Sequence, residues 1–338
     1  MVCAEEIKSK AEELGIEIGI ATAEPFLAER NEIINQLKNG LFLDTEYWRE
    51  YGIIKFTDPQ ILLPEAKSIL SAALFYLTEE EKDPSEPGNP YGLIARYTQR
   101  NYYRELKKRL RMLGDFLKKV YRARIVVHSC GPIAEKPGAR RSGIGYYGKH
   151  SIIINPRYGS WIVLGEIITD LEIKPDRPLE DNCGECHRCI DACPTKAIVR
   201  PYVIDRNRCI QALTNWPKLI PEEIARVWGN RLYGCTTCQD VCPVNKNIKP
   251  APSKTNIGVV GAYLPLIEIL RMDEREYRQR YRQNQISARW IHFNAIKRNA
   301  LLALGNIRDK KTIPWIKKFT ADNSGLLKKT ARWALSQF

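Results

Sequence analysis

Hydrophobic and polar positions follow two rhythms along the first half of this chain. Glu5–Leu14 repeats apolar residues at helical spacing and stops at Gly15, after which Ile16–Ala21 predicts a short apolar strand. Ile69–Leu77, reading ILSAALFYL, carries no charge and predicts a strand buried on both faces. Thr78–Pro90, rich in acid, Pro and Gly, predicts a loop. From Tyr102 to Tyr121, Leu106, Leu110, Leu113, Phe116, Leu117 and Val120 mark one side of a basic amphipathic helix, whose Lys and Arg form its solvated face. Arg124–Val127, Ser151–Ile154 and Ser160–Thr169 are short β-rich runs. Strands alternating with helices over residues 1–175 predict an α/β or α+β domain around a central sheet.

The rhythm breaks over residues 176–247, where apolar residues thin out and cysteines concentrate. After Asn247 the pattern is entirely helical. Lys297–Leu304 aligns with Lys328–Leu335, placing Ala300 over Ala331 and Leu304 over Leu335, a spacing that suits either a short HEAT-like repeat or two unrelated amphipathic helices. The whole is expected to be α+β, with an N-terminal α/β domain (1–175), a cysteine-rich module (176–247) and a helical HEAT-like domain (248–338).

Eight of the ten cysteines fall into two runs that end in Cys-Pro: Cys183, Cys186, Cys189, Cys193 before Pro194, and Cys209, Cys235, Cys238, Cys242 before Pro243. The first run has the spacing of bacterial ferredoxins, in which the fourth thiolate ligates the neighbouring cluster. By that logic Cys183, Cys186, Cys189 and Cys242 hold one [4Fe–4S] cluster, and Cys193, Cys209, Cys235 and Cys238 hold a second. Zinc ribbons use paired C-x2-C units instead. Disulfides fit poorly, because residues 1–10 are polar and charged and lack the apolar core of a signal peptide, so a reducing, cytoplasmic setting is expected. Cys3 is expected to be an ordinary thiol near the terminus.

No stretch of about 18 apolar residues occurs, so no membrane span is expected. The net charge of +14 is concentrated at one end, with 19 Lys and Arg against 6 Asp and Glu from Asn245 to Phe338. Such a field suits a polyanion such as nucleic acid, and equally a solvated lysine-rich surface.

The stretches Val203–Ile210, Leu213-Thr214, Ile220–Glu222 and Gly229–Gln239 resemble the epoxyqueuosine reductases. The likeness extends to Asn39–Phe42, Asp58-Pro59, Glu135–Pro137, Ser142–His150 and Arg298–Asn306, and so covers most of the chain. The resemblance implies a cobalamin between the N-terminal domain and the cluster module, reduced through the two clusters. The implied reaction removes the epoxide oxygen of epoxyqueuosine at the wobble position of tRNA, giving queuosine and water. It further implies that the basic tail grips the anticodon stem-loop, that a flavodoxin or ferredoxin supplies electrons, and that the protein is a monomer. Lys55, Tyr97, His150 and Thr236 are the implied cofactor-binding residues. The chain lacks the Asp-x-His-x-x-Gly loop of cobalamin-binding Rossmann domains, so an axial histidine is not expected. His187 and His292 are expected at the surface, and Gly143, Gly145 and Gly148 in a tight turn.

One departure concerns the chemistry. The family supplies a carboxylic acid from a short Asp-Ser/Thr-Gly-Pro motif, and alignment on Gly131-Pro132 puts Ser129 where that acid belongs. A serine is no general acid near neutral pH, which leaves His128 and Cys130 as neighbouring alternatives. Phe56 and the string Arg100–Tyr103 depart from the family too. Two readings of the substrate therefore stand: epoxyqueuosine in tRNA, or another substrate of a paralogous cobalamin reductase, dehalogenase-like or corrinoid-reducing.

Overall fold

In the computed structural model, which describes residues 2–42, 50–180 and 182–338, the uncharged run becomes the strand Ser68–Phe75, buried at every position. It pairs antiparallel with Glu17–Thr22 on one side and with Ile162–Thr169 on the other, where Ser71 stands opposite Glu166. Ile125–His128 closes the sheet beyond Ile162–Thr169, also antiparallel. The N-terminal unit is thus an antiparallel sheet and not a set of parallel βαβ units, because alternation of strands and helices in sequence does not fix strand direction.

Period-two geometry sorts the central strand into two layers. Leu70, Ala72 and Leu74 join Leu106, Leu110, Leu113 and Leu117 of the helix Tyr102–Tyr121 and Ile7 and Ala11 of the helix Ala4–Glu13. Ile69 packs with Phe26 and Ile133, and Ala73 with Ala139 and Ile153, on the opposite face. Each leucine buried in this way contributes about 2 kcal/mol. The long helix begins at Asn101, whose side chain accepts the Arg104 amide at 3.1 Å, and ends at Arg122 in a left-handed conformation, φ 54°.

A three-stranded sheet then ties distant segments together, in the order Arg231–Tyr233, Tyr91–Ile94, Tyr263–Pro265. The expectation that everything beyond Asn247 is helical is corrected here. Three residues carry no usable periodicity, and the strand Tyr263–Pro265 exists because its partner lies about 170 residues earlier in the chain.

The helices Phe293–Ile307 and Gly325–Leu335 pack through Ala300, Leu304, Ala331 and Ala334, all fully buried. Arg298, counted in the basic tail, is itself fully buried. Its guanidinium donates to the carbonyls of Leu213 (2.7 Å) and Lys218 and stacks over Trp228, while Asn299 donates to the carbonyls of Thr214 and Leu232. The helical domain is therefore clamped to the cysteine-rich module by hydrogen bonds to backbone carbonyls. No helix among the described residues is long and apolar enough to cross a membrane.

Candidate functional site

The cysteines come together in two neighbourhoods. Cys183 lies near Cys186 and Cys242, and Cys189 near Cys183 and Cys242. Cys209 lies near Cys235 and Cys193, and Cys238 lies near all three of these and also near Cys189. Short helices such as Arg188–Ala192 and Thr237–Asp240 carry the closely spaced thiols, and none of the eight is in a disulfide. Among the described residues no three His, Cys, Asp or Glu side chains converge on a point suited to one ion.

Buried polar contacts fix the second neighbourhood to the sheet. Gln239 donates to the carbonyl (2.8 Å) and hydroxyl of Ser160 and to the Tyr76 hydroxyl, and Asn245 donates to the Ser160 hydroxyl at 2.7 Å. All of these residues are buried, where an unpaired polar group would cost about 1–3 kcal/mol.

Between the sheet and this module lies a partly open cavity of about 360 Å³. Cys193, Cys209, Cys235 and Cys238 stand on one wall, with Tyr97, Tyr103, Lys136, His150 and Ile162 on the other. A second cavity of similar size, at Lys8, Glu12, Arg157 and Lys254, contains none of the cysteines.

His150 is buried, and its Nδ1 accepts the Ile152 amide at 3.2 Å. The remaining nitrogen must therefore carry the proton, and Nε2 has no partner among the described residues. Burial, aided by the charge of Lys136, lowers its pKa to about 4, so His150 presents a neutral N–H donor to the cavity. Gly148 makes this placement possible, since a Cβ there would stand 2.6 Å from His150 Cε1. Tyr97 offers a second buried hydroxyl without a well-formed hydrogen bond, though Gln211 is close. Lys136 touches the cavity's solvent while protein surrounds it; this brings its pKa down to about 8, and its Nζ donates to the Ser151 carbonyl at 2.7 Å.

The other residues singled out from sequence divide. Thr236 is turned away: its hydroxyl donates to Asp240 at 2.9 Å and it borders a different cavity, beside Glu79–Glu81, so that Thr237 takes its place on the wall. Lys55, half-buried on the helix Glu50–Thr57, is not among the described residues that line the cavity. His128 ends its strand opposite Glu166, with Nε2 buried and unpartnered, and burial together with Lys107 lowers its pKa. Ser129 donates its hydroxyl to the Leu164 carbonyl at 3.0 Å. Cys130 follows in a left-handed conformation, φ 55°, exposed. His187 and His292 are exposed, as expected.

Sequence reading overlooked Glu135 as a functional group. The first residue of the helix Glu135–Arg141, it accepts the amides of Cys130 and Gly131 through Oε1, the latter at 3.4 Å. Burial raises its pKa from 4.5 to about 7 against the pull of those amides and of Lys136. Glu166, fully buried against Ser71, is also raised, by burial and by Glu135. Only the fold brings these carboxyls to one place, because they come from a helix and a strand about 30 residues apart.

Two thiolate neighbourhoods, one of them forming a wall of a cavity rich in protonatable groups, define an iron–sulfur oxidoreductase that acts on its own substrate. The 4Fe-4S double cluster binding domain matches residues 182–245, and the epoxyqueuosine reductase QueG, DUF1730 model matches residues 57–129. The epoxyqueuosine reductase of Bacillus subtilis is 34% identical over 98% of this chain and 87% of its own length. A crystal structure of epoxyqueuosine reductase with a tRNA-Tyr epoxyqueuosine-modified tRNA stem loop superposes with a TM-score of 0.88 at 34% identity, covering 98% of this chain and 89% of that one. A structure of the Bacillus subtilis enzyme with its catalytic aspartate loop swung out of the active site gives a TM-score of 0.85 at 33% identity, covering 98% and 89%. This chain belongs to the epoxyqueuosine reductase family.

Proposed function

We propose that this protein reduces epoxyqueuosine to queuosine at the wobble position of tRNA. The observation that carries this reading is the cavity, where Cys193, Cys209, Cys235 and Cys238 face Tyr97 and His150. In this reading Cys183, Cys186, Cys189 and Cys242 would hold one [4Fe–4S] cluster, and Cys193, Cys209, Cys235 and Cys238 a second at the cavity wall, where it would supply electron-transfer chemistry. The residues fit a cobalamin there: Tyr97 and His150 turn unpartnered polar atoms inward, and the cofactor, when bound, supplies the reducing chemistry. Because Nδ1 of His150 accepts an amide, its Nε2 serves as a hydrogen-bond donor and not as a metal ligand.

The anticodon stem-loop is the partner of the C-terminal helices, a HEAT-like pair spanning the basic end of residues 248–338. Arg271, Arg275, Arg282, Arg289, Lys310, Lys317, Lys318 and Lys329 are exposed there, together with Trp290 at 61%. Cations of this kind hold phosphates, and an exposed indole can stack on an unpaired base. A soluble one-electron carrier such as a flavodoxin or ferredoxin supplies electrons, and a monomer suffices.

The test is to reconstitute both clusters and cobalamin, supply epoxyqueuosine-bearing tRNA stem-loop with a strong reductant, and assay the nucleosides by mass spectrometry. Queuosine is the expected product. Unchanged epoxyqueuosine, with stem-loop bound no more tightly than an unrelated RNA, would favour the paralogous reductase with another substrate.

A further inference from the structure

With Ser129 at the position where the resemblance places an aspartic acid, the turn after the strand Ile125–His128 has no carboxyl of its own. Its other groups are poor substitutes. The Ser129 hydroxyl is committed to the Leu164 carbonyl, His128 is neutral for want of solvation, and the Cys130 thiol, although its residue keeps an exposed edge, is made a weaker acid by the protein packed around it and by Glu135. A carboxyl nevertheless reaches this turn, from the helix that follows. Glu135 caps the amides of Cys130 and Gly131 with Oε1. Only Oε1 is engaged in these caps, and the residue is half-buried, which leaves its second oxygen for another partner. Tyr103 of the long helix lies near both Cys130 and Glu135 and lines the cavity, as does Lys136. Glu135 is not itself among the described residues that line the cavity; it stands just behind the wall, one position before Lys136 in the same helix.

We propose that Glu135 is the catalytic residue that protonates the departing epoxide oxygen in this protein, its carboxyl entering from the helix instead of from the strand end. The proposal rests on the epoxyqueuosine reading above. Overall, two C–O bonds break, a C=C bond forms, and the oxygen leaves as water after taking up two protons, while the carbon skeleton gains two electrons. The electrons come from the one-electron carrier through the clusters. Glu135 gives the first proton to the oxygen as the first C–O bond opens, and the resulting carboxylate is reprotonated before the second is needed.

The surroundings suit that role. Four groups face the carboxyl from different elements: Cys130 from the turn, Lys136 from its own helix, Tyr103 from the long helix and Glu166 from the strand Ile162–Thr169. Burial brings Glu135 to about 7, within the range where a carboxylic acid still holds its proton at neutral pH and can release it readily. Behind it Glu166 is fully buried, with Oε2 unpartnered and only Arg141 as a nearby cation, and burial favours its neutral form, so it places no full negative charge against Glu135. Gly138 permits this stacking of helix on carboxyl: a Cβ there would lie 1.9 Å from Glu166 Oε1.

Glu135→Gln is the discriminating variant, since its amide oxygen still caps the two amides and only the proton is lost. In the reconstituted enzyme with modified stem-loop, wild-type kcat should fall as pH rises through about 7. Glu135→Gln should lose about 100-fold or more in kcat with stem-loop affinity unchanged, and adding Ser129→Asp should restore about tenfold. Independently of turnover, one carboxylic C=O infrared band of the cluster-loaded protein should vanish as pH rises through about 7 and be absent in Glu135→Gln, while the band of buried Glu166 persists in both. A Glu135→Gln enzyme within about threefold of wild type at every pH would overturn the assignment while leaving the substrate reading intact. Lack of the infrared band would overturn it too. A wild-type enzyme that makes no queuosine at any pH would overturn the substrate reading first, and the assignment with it.

Discussion

At His150 one hydrogen bond decides the chemistry of the whole ring. The amide of Ile152 occupies Nδ1, so the proton must sit on Nε2, and the wall of the cavity receives a donor. The same burial carries a consequence for acid stability. Its folded pKa of about 4 lies below the ordinary value of 6.5, so the unfolded chain takes up a proton first as pH falls. Stability contributed by the neutral ring is complete above about 6.5 and is lost between there and about 4. His150→Asn should flatten the urea-unfolding free energy of the protein over that pH interval, and an unchanged slope would show that the ring is not held neutral. Glu135 works in the opposite sense: its raised pKa favours the folded state at low pH, and that contribution fades as pH rises through about 7. Two neighbours of one cavity thus oppose one another, and near neutrality each is uncharged to a useful extent.

Among the elements, the helix Phe293–Ile307 shows that a basic sequence need not be a basic surface. Arg298 supplies donors to two backbone carbonyls of the cysteine-rich module and has no contact with solvent. Arg298→Met should keep most of the packing on Trp228 and remove the guanidinium's hydrogen bonds to the carbonyls of Leu213 and Lys218, costing about 3 kcal/mol in a denaturation experiment. Binding of modified stem-loop should change little if folding is maintained, because this guanidinium does not reach the surface. An equal loss in Arg298→Met and in a variant of exposed Lys317 and Lys318 would instead argue that the buried residue shapes the RNA-binding face. The short helix Thr237–Asp240 makes a different point. It carries Cys238 onto the cavity wall and, through Gln239, fixes that thiol to Ser160 of the sheet domain. Distance between the second cluster and the cavity is thereby set by buried hydrogen bonds, not by a flexible linker.

For the molecule as a whole, current and charge run in different parts of the chain. Cys238→Ala should remove about half of the bound iron and abolish turnover, whereas Cys186→Ala should also lose about half of the iron but act from the remote neighbourhood. A variant that lacks one cluster yet turns over normally with its physiological electron carrier would show that the two clusters do not act in series. In the proposed reading the basic end governs encounter with RNA. Stem-loop affinity should fall steeply between about 50 and 200 mM salt, and replacing exposed Lys310, Lys317 and Lys318 by Gln should lessen that slope by about one for each lost phosphate contact. A slope unaffected by these changes would place the RNA elsewhere.

How much of this was legible beforehand follows from the range of each signal. The strand Ser68–Phe75, the helix Tyr102–Tyr121 and the eight cysteines announce themselves locally, through an uncharged run, a helical period and a ligand spacing. The four-residue motif around Ser129 was equally visible as a gap in a pattern. Nothing local could show that Tyr263–Pro265 is a strand, that Thr236 points away from the cavity while Thr237 faces it, or that Arg298 is buried. Nor could spacing find Glu135 as the carboxyl at the turn, because its value depends on the backbone amides it caps, the strand carboxyl behind it and the tyrosine opposite. Sequence by itself determined the thiolate inventory, the helices and strands with strong periodicity, and the family. Tertiary structure alone decided which thiols share a wall with which side chains and which groups keep their protons, since desolvation and long-range pairing belong to positions in space and not to positions along the chain.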